Sequence, residues 1–266
     1  GAVADRWAVR PRGQPPPGAP ARPLPTGGWA GGLFGSRQGG AAAPAAARGH
    51  SGAARAGVLA ARREVEDQIG RDPFFAATFE PYIPPNAANT PARMARAAAE
   101  AGVGPMAAVA GAIAGAGVEA MAAAGASFGL IDNGGDIALV SDRQVTIGIY
   151  AGASPLSGRI AFRVPPQDEI LGVCTSSATV GPSISFGIAD AVTVFSPDVA
   201  LADAWATAVC NQITAKDTSV LDRLEGSGVA GVLAIIGDTV IRWGDLPRVV
   251  RARVDERLIT AGRQPF

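Results

Sequence analysis

The sequence predicts an α+β fold in which mixed, largely antiparallel sheets pack against helices. Short strand-like runs are separated by Gly, Pro, Asn and Asp turns, a spacing that favours hairpins. Strands and helices are mixed without the regular βαβ alternation of a doubly wound sheet. The chain has 266 residues, of which 48% are hydrophobic, so it is long enough to bury one sizeable core.

Five helices are predicted from apolar spacing and from signals at the helix ends. In the second of them Thr90 is the predicted N-cap, because Pro91 follows at the first helical position. The fourth is predicted to be capped by Ser196-Pro197-Asp198, and the fifth is basic and amphipathic. The predicted ranges are about 58–70, 90–102, 106–124, 198–214 and 246–259.

Eight strands are predicted where β-branched and apolar residues run between turn residues. The last two form a hairpin that turns at Gly237-Asp238. The predicted strands are 127–132, 137–140, 145–150, 159–164, 171–174, 189–195, 229–236 and 239–243.

Residues 1–57 are rich in Pro, Gly, Ala and Arg and have no apolar periodicity of 2 or 3.6. They are predicted to lie outside the domain, and two interpretations stay open. One is a disordered basic arm, since this composition buries too little apolar surface to offset its ordering entropy. The other is that the stretch is not the native amino terminus, because GC-rich DNA translated in a wrong frame gives this composition. Residues 58–266 are predicted to form a single domain.

The formal net charge of zero conceals an uneven distribution. Residues 1–63 hold nine arginines and one acidic residue, Asp5, which leaves 14 Lys/Arg against 22 Asp/Glu in residues 64–266. The globular part therefore carries a charge of −8, the difference of those two counts. A protein without a basic excess is not expected to bind nucleic acid.

Cysteine, histidine and hydropathy patterns exclude several other classes. Cys174 and Cys210 have no CxxC spacing and no Cys/His cluster, which predicts a reduced, cytoplasmic protein without a zinc site. The only histidine, His50, lies in the arm, so a histidine-dependent mechanism is disfavoured. The most apolar run, 105–126, is Ala/Gly-rich and contains Glu119, which is typical of a buried helix and predicts no membrane association.

Three segments could carry chemistry, and each also has a purely structural interpretation. Asn133-Gly134-Gly135-Asp136 allows close backbone approach and offers a carboxylate to a sugar or flavin, but a hairpin turn explains it too. Cys174-Thr175-Ser176-Ser177 opens a loop of hydroxyl and amide donors suited to phosphate, although it lacks a P-loop lysine. Asp203 and Thr207 lie four residues apart on one helical face and suit Mg²⁺, or the aspartate compensates the helix dipole.

Taken together, these motifs resemble uncharacterised protein family 0280, a branch of the ApbE superfamily of FAD:protein FMN transferases. The resemblance also includes Gly104-Pro105-Met106-Ala107-Ala108-Val109-Ala110-Gly111, Ala202-Asp203-Ala204-Trp205-Ala206-Thr207 and the connecting pieces 150–158 and 185–194. The matching motifs follow in unbroken order from about Gly104 to Trp243, whereas residues before about 58 do not match.

The resemblance implies an ApbE-like fold and a flavin site. Carried over by position, it places the turn 133–136 near the flavin, Thr175, Ser176 and Ser177 along the pocket, and Asp203 with Thr207 at Mg²⁺. The implied reaction transfers FMN from FAD to a protein Thr or Ser hydroxyl, assisted by the metal. The implied partners are a flavin nucleotide, an acceptor protein and, by analogy, a second copy in a homodimer.

Two departures from the family pattern bear on activity. The transferases carry a His-containing segment where this chain has Gly181-Pro182-Ser183-Ile184-Ser185-Phe186-Gly187, and a lysine is absent from the region 112–117. The hypothesis of a flavin-binding protein or FMN transferase therefore stands beside a second one. In that alternative, a non-catalytic scaffold of the same fold binds a metabolite or partner, in cofactor or sulfur metabolism.

Overall fold

The computed structural model describes residues 46–180 and 187–253. Its helices are α1 (Ala46–Arg71), α2 (Phe74–Ala77), α3 (Asn89–Ala101), α4 (Val109–Ala123) and α5 (Val199–Gln212), with 3-10 turns at Pro105–Ala108 and Ser219–Leu224. Its strands are β1 (Phe128–Asn133), β2 (Asp136–Ser141), β3 (Val145–Gly148), β4 (Ile160–Val164), β5 (Gln167–Ser176), β6 (Ala191–Ser196), β7 (Gly231–Ile236), β8 (Thr239–Gly244) and β9 (Arg248–Arg251).

The strands form two sheets. The large sheet has the order β1-β2-β5-β6-β7-β8, and the small sheet has the order β3-β4-β9. Every pair of neighbouring strands in both sheets is antiparallel. The predicted α+β class with antiparallel sheets and packed helices is confirmed.

The large sheet is buried on both faces and is the middle of three layers. Val192 and Val194 of β6 face the helices, while Phe195 of the same strand faces the small sheet. The rings of Phe162 and Phe195 meet edge to face with centroids 4.8 Å apart and join the two sheets. Because β6 is covered on both sides, all six of its residues are buried, which explains its nearly continuous apolar sequence.

Small residues bring α4 close to its neighbours. A Cβ atom at Gly117 would lie 2.7 Å from Val58 Cγ2 of α1, and one at Gly111 would lie 2.6 Å from the carbonyl oxygen of Val199. Pro105–Ala123 is, in the described ranges, the one helical stretch long and apolar enough to cross a bilayer by length and composition. A core helix passes the same test, and here α4 contacts α1, α5 and the large sheet.

Helix α1 begins earlier than predicted. It starts at Ala46, so the predicted boundary at residue 58 falls inside the helix. Ala54 is fully buried and belongs to the large core. The rest of the predicted arm, residues 1–45, lies outside the described residues.

Two helix predictions are corrected by tertiary contacts. The N-cap of α3 is Ala88 and not Thr90, whose backbone N–H instead donates to the Glu64 carboxylate of α1 at 2.8 Å. The predicted final helix, 246–259, is wrong over its first part, because Arg248–Arg251 forms β9 and pairs with β4. The β-branched Val249 and Val250 suit a strand when an edge is free to pair, and 254–259 lie outside the described residues.

Candidate functional site

The candidate segments meet at one end of the large sheet. There β1 ends at Asn133, β2 begins at Asp136, β5 ends at Ser176 and β6 begins at Ala191. Antiparallel pairing brings these strand ends together although they lie far apart in sequence. Asp203 reaches the same end from α5, because the carboxylate accepts a hydrogen bond from the Gly111 N–H of α4.

Two carboxyl groups, those of Asp136 and Asp203, form the centre of this end. One oxygen of Asp136 accepts from the Thr175 backbone N–H at 3.1 Å, and Oδ2 of Asp203 accepts from the Gly111 N–H at 2.8 Å. Asp203 is 7% exposed. Cys174 lies on the same helix-facing side, fully buried, and its thiol sulfur is 3.6 Å from the carbonyl oxygen of Val199.

At this end of the sheet, burial disfavours the negatively charged form of three side chains and so raises their pKa values. Burial raises the pKa of Asp136 to about 7, and the nearby Asp132 carboxylate adds to the rise while the Thr175 N–H opposes it. Burial raises the pKa of Asp203 well above its usual value, and the charge of Asp136 raises it further. The pKa of the Cys174 thiol is raised for the same reasons, first by burial and then by the two carboxylates. Ionising both carboxyl groups therefore needs a positive charge between or beside them.

No side chain supplies that charge in the described part of the molecule. The four ion pairs among residues 46–180 and 187–253 join Arg62 to Glu66, Arg93 to Glu119, Arg96 to Asp198 and Arg143 to Asp142. Neither Asp136 nor Asp203 takes part in any of them. Two carboxylates and no cationic partner form a set of hard oxygen donors, which is the chemistry that Mg²⁺ prefers.

The glycine turn is held in place against α4. Gly134 and Gly135 adopt φ values of +74° and +106°, which side chains other than glycine rarely adopt. The Gly135 N–H donates to Asp132 at 2.9 Å, and the Asn133 side-chain amide donates to the Ala110 carbonyl at 3.1 Å. The turn therefore presents Asp136 from a fixed position beside the start of α4.

The Thr/Ser loop is divided between the two faces of the sheet. The Thr175 hydroxyl lies 2.9 Å from the Thr193 hydroxyl on the face toward the small sheet, so only its backbone N–H reaches Asp136. Ser176 is buried, and strand alternation puts it on the helix-facing side with Cys174. The Ser177 hydroxyl accepts from the backbone N–H groups of Thr179 and Val180 and so shapes the loop.

Thr207 is half-buried and lies one helical turn beyond Asp203. Its spacing from Asp203 places both on the same side of α5. Within the described ranges no group of three or more His, Cys, Asp or Glu side chains could hold a metal ion. The acidic donors of this end are therefore the pair Asp136 and Asp203, with any further ligands coming from hydroxyls, water or a bound nucleotide.

Several contributors to the site were not identified from sequence patterns. Thr193 pairs with Thr175, and the backbone N–H groups at the start of α4 bind the Asp203 carboxylate. A buried hydroxyl inside an apolar strand was the available signal for Thr193. The glycine at 111 lay within a matched motif, but its contact with a residue 92 positions later carries no local signal.

A hydrogen-bonded rim surrounds the loop on its outer side. Asp190 accepts from the Thr179 hydroxyl at 3.2 Å and from the Gly237 N–H at 2.7 Å. The Ser154 hydroxyl donates to the carbonyl oxygen of Gly237 at 2.6 Å. These bonds tie three loops into one wall at the same end of the sheet.

Comparison with known proteins agrees with the sequence resemblance. A family model described as "AbpE bacteria" matches residues 41–230. A UPF0280 protein from Methanoculleus marisnigri is 76% identical over 215 residues, covering 81% of this chain and 88% of that protein. A UPF0280 protein from Methanosphaerula palustris is 61% identical over 209 residues, covering 79% of this chain and 88% of that protein.

Solved structures with a distant likeness include two ApbE proteins. The flavin transferase ApbE from Vibrio cholerae, in a variant form, has a TM-score of 0.39 and 14% identity, over 70% of this chain and 72% of that one. The apo flavinyl transferase ApbE from Pseudomonas stutzeri has a TM-score of 0.37 and 17% identity, over 79% of this chain and 75% of that one. The family assignment rests on the sequence matches, which are much closer. By the family model and by these relatives, the chain belongs to the UPF0280 family of the ApbE-like superfamily.

Proposed function

We propose that this protein binds a flavin nucleotide together with a divalent cation at the end of the large sheet formed by the turn 133–136 and the start of α4. The observation that carries the proposal is the pair of half-buried Asp136 and buried Asp203, which no cationic side chain neutralises in the described part of the chain. Membership of the ApbE-like superfamily supports flavin as the ligand class.

The arrangement suits a nucleotide because the carboxylates that would hold a cation and the hydroxyl that would donate to a phosphate lie in different segments. Asp136 and Asp203, with Thr207 beyond, would hold Mg²⁺, which when bound supplies charge neutralisation for a pyrophosphate. In the described part of the loop that begins at Thr175, the Ser177 hydroxyl can donate to a phosphate oxygen, because its oxygen already accepts from the Thr179 and Val180 N–H groups. The close packing of α4 and α5 shields the Asp203 carboxyl group from water, which strengthens electrostatic interactions there.

The reaction proposed for this site is transfer of FMN from FAD to a protein Thr or Ser. The acceptor oxygen forms a bond to the phosphorus of the FMN phosphate, the bond to the bridging pyrophosphate oxygen breaks, and AMP leaves with that oxygen. The acceptor hydroxyl proton passes to the phosphate of the departing AMP or to solvent water. An acceptor protein, a homodimer and a cytoplasmic location remain predictions that accompany this proposal.

A second candidate, binding without catalysis, is favoured by the composition of the site. The single lysine of the chain, Lys216, is exposed beyond the end of α5, and the single histidine, His50, lies on α1. The candidate site residues therefore include no lysine or histidine. A protein that binds FAD and releases no AMP with any acceptor would fit this second candidate.

The ligand proposal is tested by calorimetric titration of FAD into the full chain with and without Mg²⁺. We expect magnesium-dependent binding that Asp203→Ala weakens at least about tenfold, because the cation loses a buried charged ligand. Asp142→Ala is the matched control, since Asp142 is an exposed carboxylate paired with Arg143 at the other end of β2. Failure of the folded wild type to bind FAD would overturn the flavin proposal.

The transferase reaction needs its own measurement. The protein is incubated with FAD, Mg²⁺ and a Thr-containing acceptor peptide, and AMP release is followed by chromatography while the peptide mass is recorded. Transfer predicts equal amounts of AMP and of peptide carrying FMN. AMP without modified peptide would indicate hydrolysis instead.

A further inference from the structure

Three exposed arginines lie on the outward side of the small sheet, on its strands β4 and β9 or immediately before β4. They are Arg159, Arg163 and Arg248, and together they are called the arginine face. Arg251 is not part of it, because its register partner Ile160 lies on the side toward the large sheet. The stretch 145–164 and strand β9 contain no Asp or Glu at all. Arginine is therefore the only type of charged residue in the strands of the small sheet.

The pairing of the strands puts two of these positive charges directly opposite each other. Arg163 of β4 is the register partner of Arg248 of β9. Phe162, the preceding residue, is buried against the large sheet, so alternation turns Arg163 outward together with Arg248. Like charges at directly opposed positions destabilise a sheet, so this pair does not serve folding.

The arginine face has no internal counter-charge in the described part of the chain. None of its three guanidinium groups makes an ion pair or a side-chain hydrogen bond there. The surrounding protein has the opposite sign, because residues 64–266 carry −8. Removing the three arginines from that count leaves −11 for the remainder. The face is thus a positive area on a negative domain.

We infer that the arginine face is a docking surface for an acidic segment of a partner protein. Guanidinium groups bind carboxylates through two parallel hydrogen bonds, and arginines on neighbouring strands present their forks side by side. The other residues of the outer face in these strands are Thr146, Gly148, Ala161 and Val250, and the exposed Tyr150 follows β3 beside them. A small cationic face on an acidic domain suits a short acidic peptide better than the long phosphate backbone of a nucleic acid.

This inference does not depend on the proposed function, because it concerns a surface that includes none of the candidate site residues. It makes a distinctive prediction for a single substitution. Arg163→Glu places a carboxylate opposite Arg248, which replaces repulsion by attraction across the strands. The variant is therefore expected to melt at a higher temperature than the wild type and to bind an acidic peptide more weakly.

The test measures the anisotropy of fluorescein-labelled poly-L-glutamate titrated with the full chain at low and high salt. We expect salt-sensitive binding that the double variant Arg163→Glu with Arg248→Glu weakens at least about tenfold. The matched control is Arg55→Glu with Arg63→Glu, which makes the same change in net charge at exposed positions of α1. Circular dichroism melting checks that each variant is folded.

Each outcome decides the inference. It is supported if the face variants alone lose poly-L-glutamate binding while Arg163→Glu gains thermal stability. It is overturned if both double variants weaken binding equally, since net charge would then be the cause. It is also overturned if a single-stranded oligonucleotide competes more strongly than poly-L-glutamate. Sedimentation showing a dimer that dissociates on reversing the face charges would identify a second copy as the occupant and overturn it as well.

Discussion

Freed of divalent cations, the protein is expected to be less stable at pH 8 than at pH 5 by roughly 3 kcal/mol from Asp136 alone, with Asp203 adding in the same direction. Burial raises the pKa of Asp136 from 3.8 to about 7, and that of Asp203 is also raised. Between these values the folded protein keeps a proton that the unfolded chain has released. The free energy of unfolding therefore decreases as the pH rises through this window.

Urea unfolding followed by tryptophan fluorescence in EDTA at several pH values measures this dependence. In the variant Asp136→Asn with Asp203→Asn the loss between pH 5 and pH 8 should disappear, because neither amide titrates. Asp142→Asn is the control, since the pKa of Asp142 is lowered by its hydrogen bonds to Arg143 and Ser127. Its contribution is lost only as the pH falls below the ordinary aspartate range. Stability that rises between pH 5 and pH 8 would falsify the account of the buried pair.

Gly111→Ala is expected to destabilise the protein by about 2 kcal/mol, although alanine normally favours a helix. The added Cβ would lie 2.6 Å from the Val199 carbonyl oxygen and 2.7 Å from Asp203 Cβ. Both distances are too short for contact, so α4 and α5 must separate. The same separation lengthens the hydrogen bond from the Gly111 N–H to the Asp203 carboxylate, so binding of a cation should weaken too.

The control for this substitution is Gly52→Ala on α1, where an added Cβ meets no atom within 4 Å. There the usual helix preference is expected to stabilise the protein by about 1 kcal/mol. Urea unfolding of the two variants under identical conditions gives the comparison. Equal or increased stability of Gly111→Ala would show that α4 and α5 can move apart without cost.

Local sequence patterns were sufficient to predict helix caps and turns that are determined by residues close together in sequence. Asp198 caps α5 by accepting from the N–H groups of Ala200 and Leu201, and the turn at Gly237 joins β7 to β8, as predicted. The cap of α3 and the final element could not be predicted in this way. Thr90 meets a carboxylate from α1, and Arg248–Arg251 becomes a strand because β4 has an edge to pair with. In both cases the deciding partner is distant in sequence.

The candidate site shows the same division. Sequence motifs identified Asp136, Thr175 and Asp203, and the structure brings these three to one end of the large sheet. The motifs did not indicate that the Thr175 hydroxyl faces away from the two carboxyl groups toward Thr193. Side-chain direction in a strand depends on register, and a shift of one residue reverses it.

By itself, the sequence determined the fold class, the family and the residue types of the candidate site, because these follow from local spacing and from motifs that keep their order. Only the tertiary structure decided which of those residues meet. The pairing of β2 with β5 and the packing of α4 on α5 bring Asp136 and Asp203 to the same end of the large sheet, and the pairing of β4 with β9 opposes Arg163 to Arg248. The burial of a carboxyl group and the facing of two like charges across strands both depend on residues far apart in sequence, so they arise only when the chain is folded.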